Sequence, residues 1–460
     1  MSEERQKSQM RLAFMEGGKG EARATSREGT EARIATRQDE SLTRSEELME
    51  EICERENLKR ALKRVKANKG APGIDGMRVE ELPGYLKRRW PEIKEQLLRG
   101  EYQPKPVKRV EIEKPDGGVR KLGIPTVVDR FIQQSVMQVL QGRWDKTFSE
   151  HSYGFRPGRT AHQAVSRAQE YIREGYEVVV DIDLEKFFDR VNHDILMSRV
   201  ARRIRDKRVL KLIRAFLNSG VMENGLASAT EEGVPQGGPL SPLLSNLLLD
   251  ELDKELEKRG LRFARYADDC NVYVRSERAG QRVMESIEKY LARKLKLRVN
   301  KEKSAVGDPR KRKFLGFSFC GKDAKRRVSE KSLKKFKKRV REITRRSRGV
   351  NIERMVRELR KYLIGWNGYY GHCETPADLR NLSSWIRRRL RSVKWHQWKR
   401  GRTRFEELRK RGVDYDWAAI TAGRRHSPWR ASLTRAMSQA MPNAYFRNLG
   451  LPELAIRRSA

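Results

Sequence analysis

Positions 1–45 show no sustained apolar period. Glu, Arg, Thr and Gly dominate and apolar residues are isolated, so a flexible tail is expected there. Order is predicted to begin near Leu48, where Leu48, Ile52, Leu58, Leu62 and Val65 recur at helical spacing. Asn68-Lys-Gly-Ala-Pro-Gly73 then breaks that helix into a loop. Strand-like stretches at 107–113 and 119–124 flank the turn signal Pro115-Asp-Gly-Gly118 and predict a hairpin. A helix is expected over 128–140. Val178-Val-Val-Asp-Ile182 is a short β-branched run of the kind found in buried strands. Residues 262–265 and 271–274 read as two strands around a tight turn at Asp268-Asp269. Past about residue 320 strand signals vanish. Met355, Leu359, Tyr362, Trp366 and Tyr369 then repeat at threes and fours, and helices are predicted over 332–346, 352–370 and 382–400. Residues 413–460, with Trp417, Trp429, Tyr445 and Phe446, are expected to form a small final module.

Charge changes this picture more than size does. The 460 residues are 37% hydrophobic, enough for a real core, but the formal net charge is +40. Self-repulsion on that scale points to a polyanionic partner, and nucleic acid is the natural one. A membrane is the rival, but no apolar run approaches the roughly 18 residues a spanning helix requires. The opening MSEERQKSQM lacks a signal-like apolar core. Residues 301–412 carry a net +26, well over half of the excess, and read as a separate basic helical domain. Cys53, Cys270, Cys320 and Cys373 are scattered without C-x-x-C spacing, so reduced thiols in a cytoplasmic protein are expected, not a zinc site or a disulfide framework.

The candidate chemistry is carboxylate chemistry. Tyr266-Ala-Asp-Asp269 puts two adjacent acids at a hairpin tip between apolar strands. A solvated turn alone would account for paired Asp. The second feature that lifts it above that reading is Val178-Val-Val-Asp-Ile-Asp183, an apolar strand running directly into carboxylates. Acids from two such strands can share a pair of Mg²⁺ ions about 3.5–4 Å apart, the arrangement of a two-metal nucleotidyl-transfer site. Strand alternation puts Asp181 and Asp183 on one face, so either could be the ligand.

With these residues the chain resembles the bacterial group II intron reverse transcriptases, or maturases, over about residues 50–455. Tyr266-Ala-Asp-Asp269 resembles the family's catalytic hairpin and Asp183-Leu-Glu-Lys-Phe-Phe-Asp-Arg-Val-Asn-His193 its first catalytic block. Gly233-Val-Pro-Gln-Gly-Gly-Pro-Leu-Ser-Pro242 is similar to its template and nucleotide block. Asn68-Lys-Gly-Ala-Pro-Gly-Ile-Asp-Gly76, Leu122-Gly-Ile-Pro125, His151-Ser-Tyr-Gly-Phe-Arg-Pro157 and Phe314-Leu-Gly-Phe317 follow its other blocks in order. A lone YADD would be weak; seven blocks in sequence are not.

The resemblance implies an α+β right-hand polymerase fold, fingers and palm, followed by an α-helical basic thumb or maturase domain. The implied boundaries are 46–325 for fingers and palm, 326–412 for the thumb, and 413–460 for a small nucleic-acid-binding module. It implies an RNA-directed DNA polymerase that binds intron RNA to assist splicing and copies it during retrohoming, with template RNA, a DNA primer or target and dNTPs as partners. Asp183, Asp268 and Asp269 would hold two Mg²⁺ ions; Asp183 is preferred to Asp181 because it precedes an aromatic, Phe188, by five positions. Phe188 would exclude a 2′-hydroxyl. Lys114 and Arg120 would close on the triphosphate, Gln236 and Gly237 would lie against the nascent base pair, and Lys303 would stand near the leaving pyrophosphate. Arg387, Arg388 and Arg389 would meet RNA phosphates. The C-terminal HNH nuclease of many relatives is not seen by Ala460, so cutting of the second DNA strand is not expected. A non-enzymatic splicing factor with the same fold, or a reverse transcriptase serving a process outside an intron such as defence, are the competing readings.

Overall fold

The computed structural model describes residues 47–113, 118–223, 226–228 and 231–454. The predicted N-terminal tail and Lys114 lie outside them. The described chain divides into two compact units, one running to Gly307 and the other from Asp308, with 172–175 assigned to the second.

In the first unit the elements are α1 (Leu48–Ile52), α2 (Arg55–Asn68), α3 (Leu82–Arg99), β1 (Val107–Glu113), β2 (Val119–Ile124), α4 (Val127–Trp144), α5 (Ala161–Arg173), β3 (Val178–Ile182), α6 (His193–Ala201), α7 (Lys207–Leu217), β4 (Val221–Glu223), β5 (Leu226–Ser228), α8 (Ser241–Lys258), β6 (Arg262–Tyr266), β7 (Asp269–Val274), α9 (Glu277–Tyr290) and β8 (Ala305–Gly307). The single amphipathic helix expected from Leu48 is thus two, interrupted at Cys53-Glu54, and both pieces bury their apolar faces. The hairpin β1–β2 has the predicted bounds and pairs Lys108 with Ile124 through Glu113 with Val119. It belongs to a sheet of order β2-β1-β4-β5. A second sheet, β6-β7-β3-β8, is antiparallel throughout and carries the acids.

That second sheet is held from behind. Helix α8 contributes Leu243, Leu244, Leu247, Leu248, Leu249, Leu252 and Leu256 to one continuous core with Phe263, Val272, Val180 and Ile182. Each such side chain, fully buried, is worth roughly 1.5–3 kcal/mol. Helix α9 lies so close that a Cβ on Gly280 would meet Val306 Cγ1 at 2.5 Å. Helix α4 starts with a reciprocal cap: Thr126 Oγ1 accepts from the Asp129 amide at 3.1 Å and donates to the Asp129 carboxylate at 2.6 Å. Tyr102 also donates to Asp129, at 2.8 Å, which ties the approach to β1 onto α4.

The second unit contains β9 (Phe317–Cys320), β10 (Lys325–Val328), α10 (Glu330–Ile343), α11 (Ile352–Tyr370), α12 (Pro376–Gln397), α13 (Gly401–Lys410), α14 (Tyr415–Gly423) and three further short helices to Asn448. Its boundary falls earlier than the predicted 325/326, because Phe317 packs against Tyr369 and Tyr370 of α11 at 5.5 and 5.4 Å. The antiparallel pair β9–β10 was not expected; Lys325-Arg-Arg-Val328 has no strand-like pattern of its own. Helix α11 has its predicted bounds, and Met355, Leu359, Leu363 and Trp366 form its buried stripe. Trp395 and Trp398 are core residues. Among the described residues no helix is long and apolar enough to cross a membrane.

Candidate active site

The tip of the β6–β7 hairpin is the centre of the site. Tyr266 pairs with Asp269, leaving Ala267 and Asp268 as a two-residue turn. Ala267 adopts φ +57°, a left-handed conformation that costs a non-glycine residue about 1–3 kcal/mol and persists only where surroundings impose it. The surroundings are the block His151-Ser-Tyr-Gly-Phe-Arg-Pro157. Tyr153 donates its amide to the Arg265 carbonyl and Arg265 returns one to His151, both at 2.9 Å. Gly154 then lies directly under the turn: a Cβ there would sit 2.3 Å from the Ala267 nitrogen and 2.9 Å from the Tyr266 carbonyl carbon.

The second acid arrives on the neighbouring strand. β3 pairs with β7 from Val178↔Val274 to Ile182↔Cys270, so the next residue, Asp183, emerges at the level of the hairpin tip. Its backbone is pinned on the other side. Asp183 accepts from the Asn300 amide at 2.8 Å and donates its own amide to Ser304 Oγ at 2.9 Å. Burial raises the pKa of the Asp268 carboxyl, and the Asp183 carboxylate raises it further, against the pull of Arg120 and Arg265. Asp181, which faces Asn271, acts instead on Cys270 and Tyr273. Asp181 thus faces the body of β7, while Asp183 lies at the level of the hairpin tip beside Asp268.

The residues expected on the nucleotide side are linked to one another. Arg120 on β2 donates through Nε to Gln236 Oε1 at 2.8 Å. Gly123, in the same strand, donates to the Gln236 carbonyl at 3.0 Å, and a Cβ on Gly237 would be 2.5 Å from the Gly123 carbonyl oxygen. Gly237 has φ +141°, so both its conformation and its contacts call for glycine. Phe188 is half-buried edge-on to Phe187 at 5.2 Å, and its carbonyl accepts from the Val234 amide at 2.7 Å. The buried His193 links the same two blocks, Nε2 lying 2.6 Å from the Gly233 carbonyl. Lys303 Nζ stands 3.8 Å from Asp183 Oδ1.

The donor set suits hard divalent cations. Two carboxylates forced together in a partly buried site repel, and a bound cation relieves exactly that strain of charge. Mg²⁺ characteristically takes one or two protein carboxylates and completes its shell with water and substrate phosphates. Asp269 is exposed, and among the described residues no group of three or more acid, His or Cys side chains is gathered so as to hold a metal ion.

The predicted phosphate contacts on α12 are placed differently from expectation. Arg387 is 15% exposed and lies 3.7 Å from Glu453. Arg388 stacks 3.8 Å over Trp429, and Arg389 donates to Thr344 Oγ1 at 2.7 Å. Burial, with Arg341 and Arg346 nearby, pulls the Arg389 pKa down. All three have partners inside their own unit. Sequence reasoning missed Arg265 altogether; it is 1% exposed and donates through Nη1 to the Ala267 carbonyl at 2.9 Å.

Known proteins resemble this chain over both units. Residues 112–319 match the family described as "Reverse transcriptase (RNA-dependent DNA polymerase)", and residues 333–412 match "Group II intron, maturase-specific domain". Protein YkfC of Escherichia coli is 33% identical over 303 residues, which cover 57% of this chain and 80% of that protein. Group II intron-encoded protein LtrA of Lactococcus lactis is 36% identical over 200 residues, 43% of this chain and 33% of LtrA. A putative COX1/OXI3 intron 2 protein of Saccharomyces cerevisiae is 35% identical over 155 residues, 34% of this chain and 18% of the yeast protein. The chain thus spans most of the first relative and a third or less of the other two.

Proposed function

We propose, given that the chain belongs to the group II intron reverse transcriptases, that it extends a DNA primer on intron RNA and grips the same RNA to assist splicing. The observation that carries the polymerase half is the strand register that brings Asp183, at the end of β3, level with Asp268 at the hairpin tip. Two Mg²⁺ ions held by Asp183, Asp268 and Asp269 would activate the primer 3′-hydroxyl and neutralise charge on the leaving pyrophosphate. Arg120, with Lys114, binds the triphosphate and gives up Gln236 to do so. Gln236 and Gly237 then line the nascent base pair, where the absence of a side chain at 237 admits the backbone. Lys303 Nζ donates a proton to the departing pyrophosphate oxygen. We propose that the protein acts in the bacterial cytoplasm or nucleoid.

Phe188 closes the sugar pocket in this scheme. Phe188→Ala is expected to raise rNTP use relative to dNTP by on the order of tenfold or more, since a missing ring removes a steric barrier. Single-turnover kinetics with matched rNTP and dNTP measure it. Unchanged discrimination would make Phe188 a packing residue and move the gate elsewhere.

RNA grip falls to the exposed lysines of α10, Lys334, Lys335 and Lys338, more than to the partnered arginines of α12. Replacing the three lysines by Ala should reduce the salt slope of RNA binding by about two units, at roughly 0.7–0.9 per lost phosphate contact. The test is filter binding across KCl concentrations paired with a splicing assay on the flanking intron. A slope and splicing yield equal to wild type would remove this surface from the RNA contact.

A further inference from the structure

The guanidinium of Arg265 uses its full hydrogen-bonding capacity. Its five N–H groups meet five acceptors. Nε and Nη2 grip the two oxygens of Asp253 at 2.7 and 2.5 Å, Nη2 also donates to Ser152 Oγ at 2.8 Å, and Nη1 donates to Asn246 Oδ1 at 3.1 Å and the Ala267 carbonyl at 2.9 Å. Arg265 and Asp253 are 1% and 0% exposed. Burial alone would lower the guanidinium pKa; the Asp253 carboxylate reverses this and the net direction is up, so the charge is fixed.

A buried ion pair gives little net stability compared with apolar packing of the same volume. What this one supplies is geometry. Asn246 also donates to the Gly154 carbonyl at 2.8 Å, so the network grips both the strained turn and the glycine beneath it. Of the acceptors, the Ala267 carbonyl is the one in the hairpin tip, one residue before Asp268.

We propose that Arg265, with Asp253 as its buried counter-ion, is a positioning residue for polymerisation: through the Ala267 carbonyl it holds the hairpin tip in the conformation that presents Asp268 beside Asp183. This rests on the polymerase reading above. The prediction is that the network matters to metal binding and turnover even when it is dispensable for folding.

Breaking the pair on one side leaves an unpaired buried charge and can unfold the domain, so the informative variant replaces both partners: Arg265→Met with Asp253→Leu. Thermal melting establishes folding. Primer extension by the full chain is then expected to lose on the order of 10²-fold in kcat with dNTP KM unchanged, the cost of a misplacement of about 1 Å. Mn²⁺ binding, followed by electron paramagnetic resonance without substrate, should weaken by at least about tenfold, as for loss of groups that orient metal ligands. A folded double variant with wild-type kcat and wild-type Mn²⁺ affinity overturns the proposal. If the wild-type protein itself does not polymerise, the functional reading fails, while the Mn²⁺ shift still decides the positioning role. If the double variant does not fold, Arg265→Lys takes its place: it keeps a cation opposite Asp253 but has no second arm to reach the Ala267 carbonyl. It should show the same kcat and Mn²⁺ losses at a smaller size, and wild-type values for both would overturn the proposal equally.

Discussion

Asp268→Ala is expected to lower single-turnover extension of a DNA primer on RNA by at least ~10³-fold, because losing a metal ligand forfeits several kcal/mol of transition-state stabilisation. Asp183→Ala should match it, and Asp181→Ala should do less harm, since Asp183 is the acid whose charge reaches Asp268. The loss will not be a folding defect. Burial raises the Asp268 pKa, so the folded state disfavours its ionised form, and the ionised side chain costs stability at neutral pH. Alanine removes that cost, and the melting temperature should stay level or rise. RNA affinity and splicing should survive, because in this reading they depend on the basic helical unit. Wild-type extension by Asp268→Ala would remove the two-metal assignment; loss of splicing with intact RNA binding would tie maturation to the polymerase site.

Gly154→Ala should be nearly as damaging for a different reason. The added methyl would sit 2.3 Å from the Ala267 backbone nitrogen, and neither partner is a flexible side-chain end that could move aside. Either the His151–Arg265 pairing opens or the turn shifts, and a displacement of about 1 Å at a reacting centre is enough for on the order of 10²-fold. Extension should therefore fall by at least that factor while RNA binding holds. A neighbouring control, Gly158→Ala, has open space around its Cβ but a positive φ, so it reports backbone strain without the clash. Gly154 itself has no positive φ, so a loss at Gly154 much larger than at Gly158 assigns the effect to the contact with the hairpin, and equal losses would contradict that assignment.

Much of the fold is legible in the sequence where local pattern and tertiary structure agree. The hairpin β1–β2 and helix α11 have the bounds that alternation and helical spacing predict, because each buries the stripe its pattern advertises. The strands β6 and β7 run longer than predicted, since the Tyr266–Asp269 pair continues the ladder to the turn itself. β10 was invisible because Lys325-Arg-Arg-Val328 is a strand only through pairing with β9. The acids were legible because apolar strands run straight into them. Arg265 was not: nothing in Phe263-Ala-Arg265 says that the guanidinium turns inward, and its partners Ser152, Asn246 and Asp253 are brought to it only by the fold. The partners of the arginines at 387–389 were equally illegible. The charge of these arginines suggested phosphate, and the fold supplies Glu453, Trp429 and Thr344.

Single-nucleotide extension tests the central claim most directly. A DNA primer annealed to an RNA template is mixed with the full chain, Mg²⁺ and each dNTP in turn. The account predicts addition of the templated nucleotide alone, abolished by chelating the metal and by Asp268→Ala. RNA binding without templated extension in Mg²⁺ or Mn²⁺ would contradict it and make the protein an RNA-binding factor built on a polymerase frame.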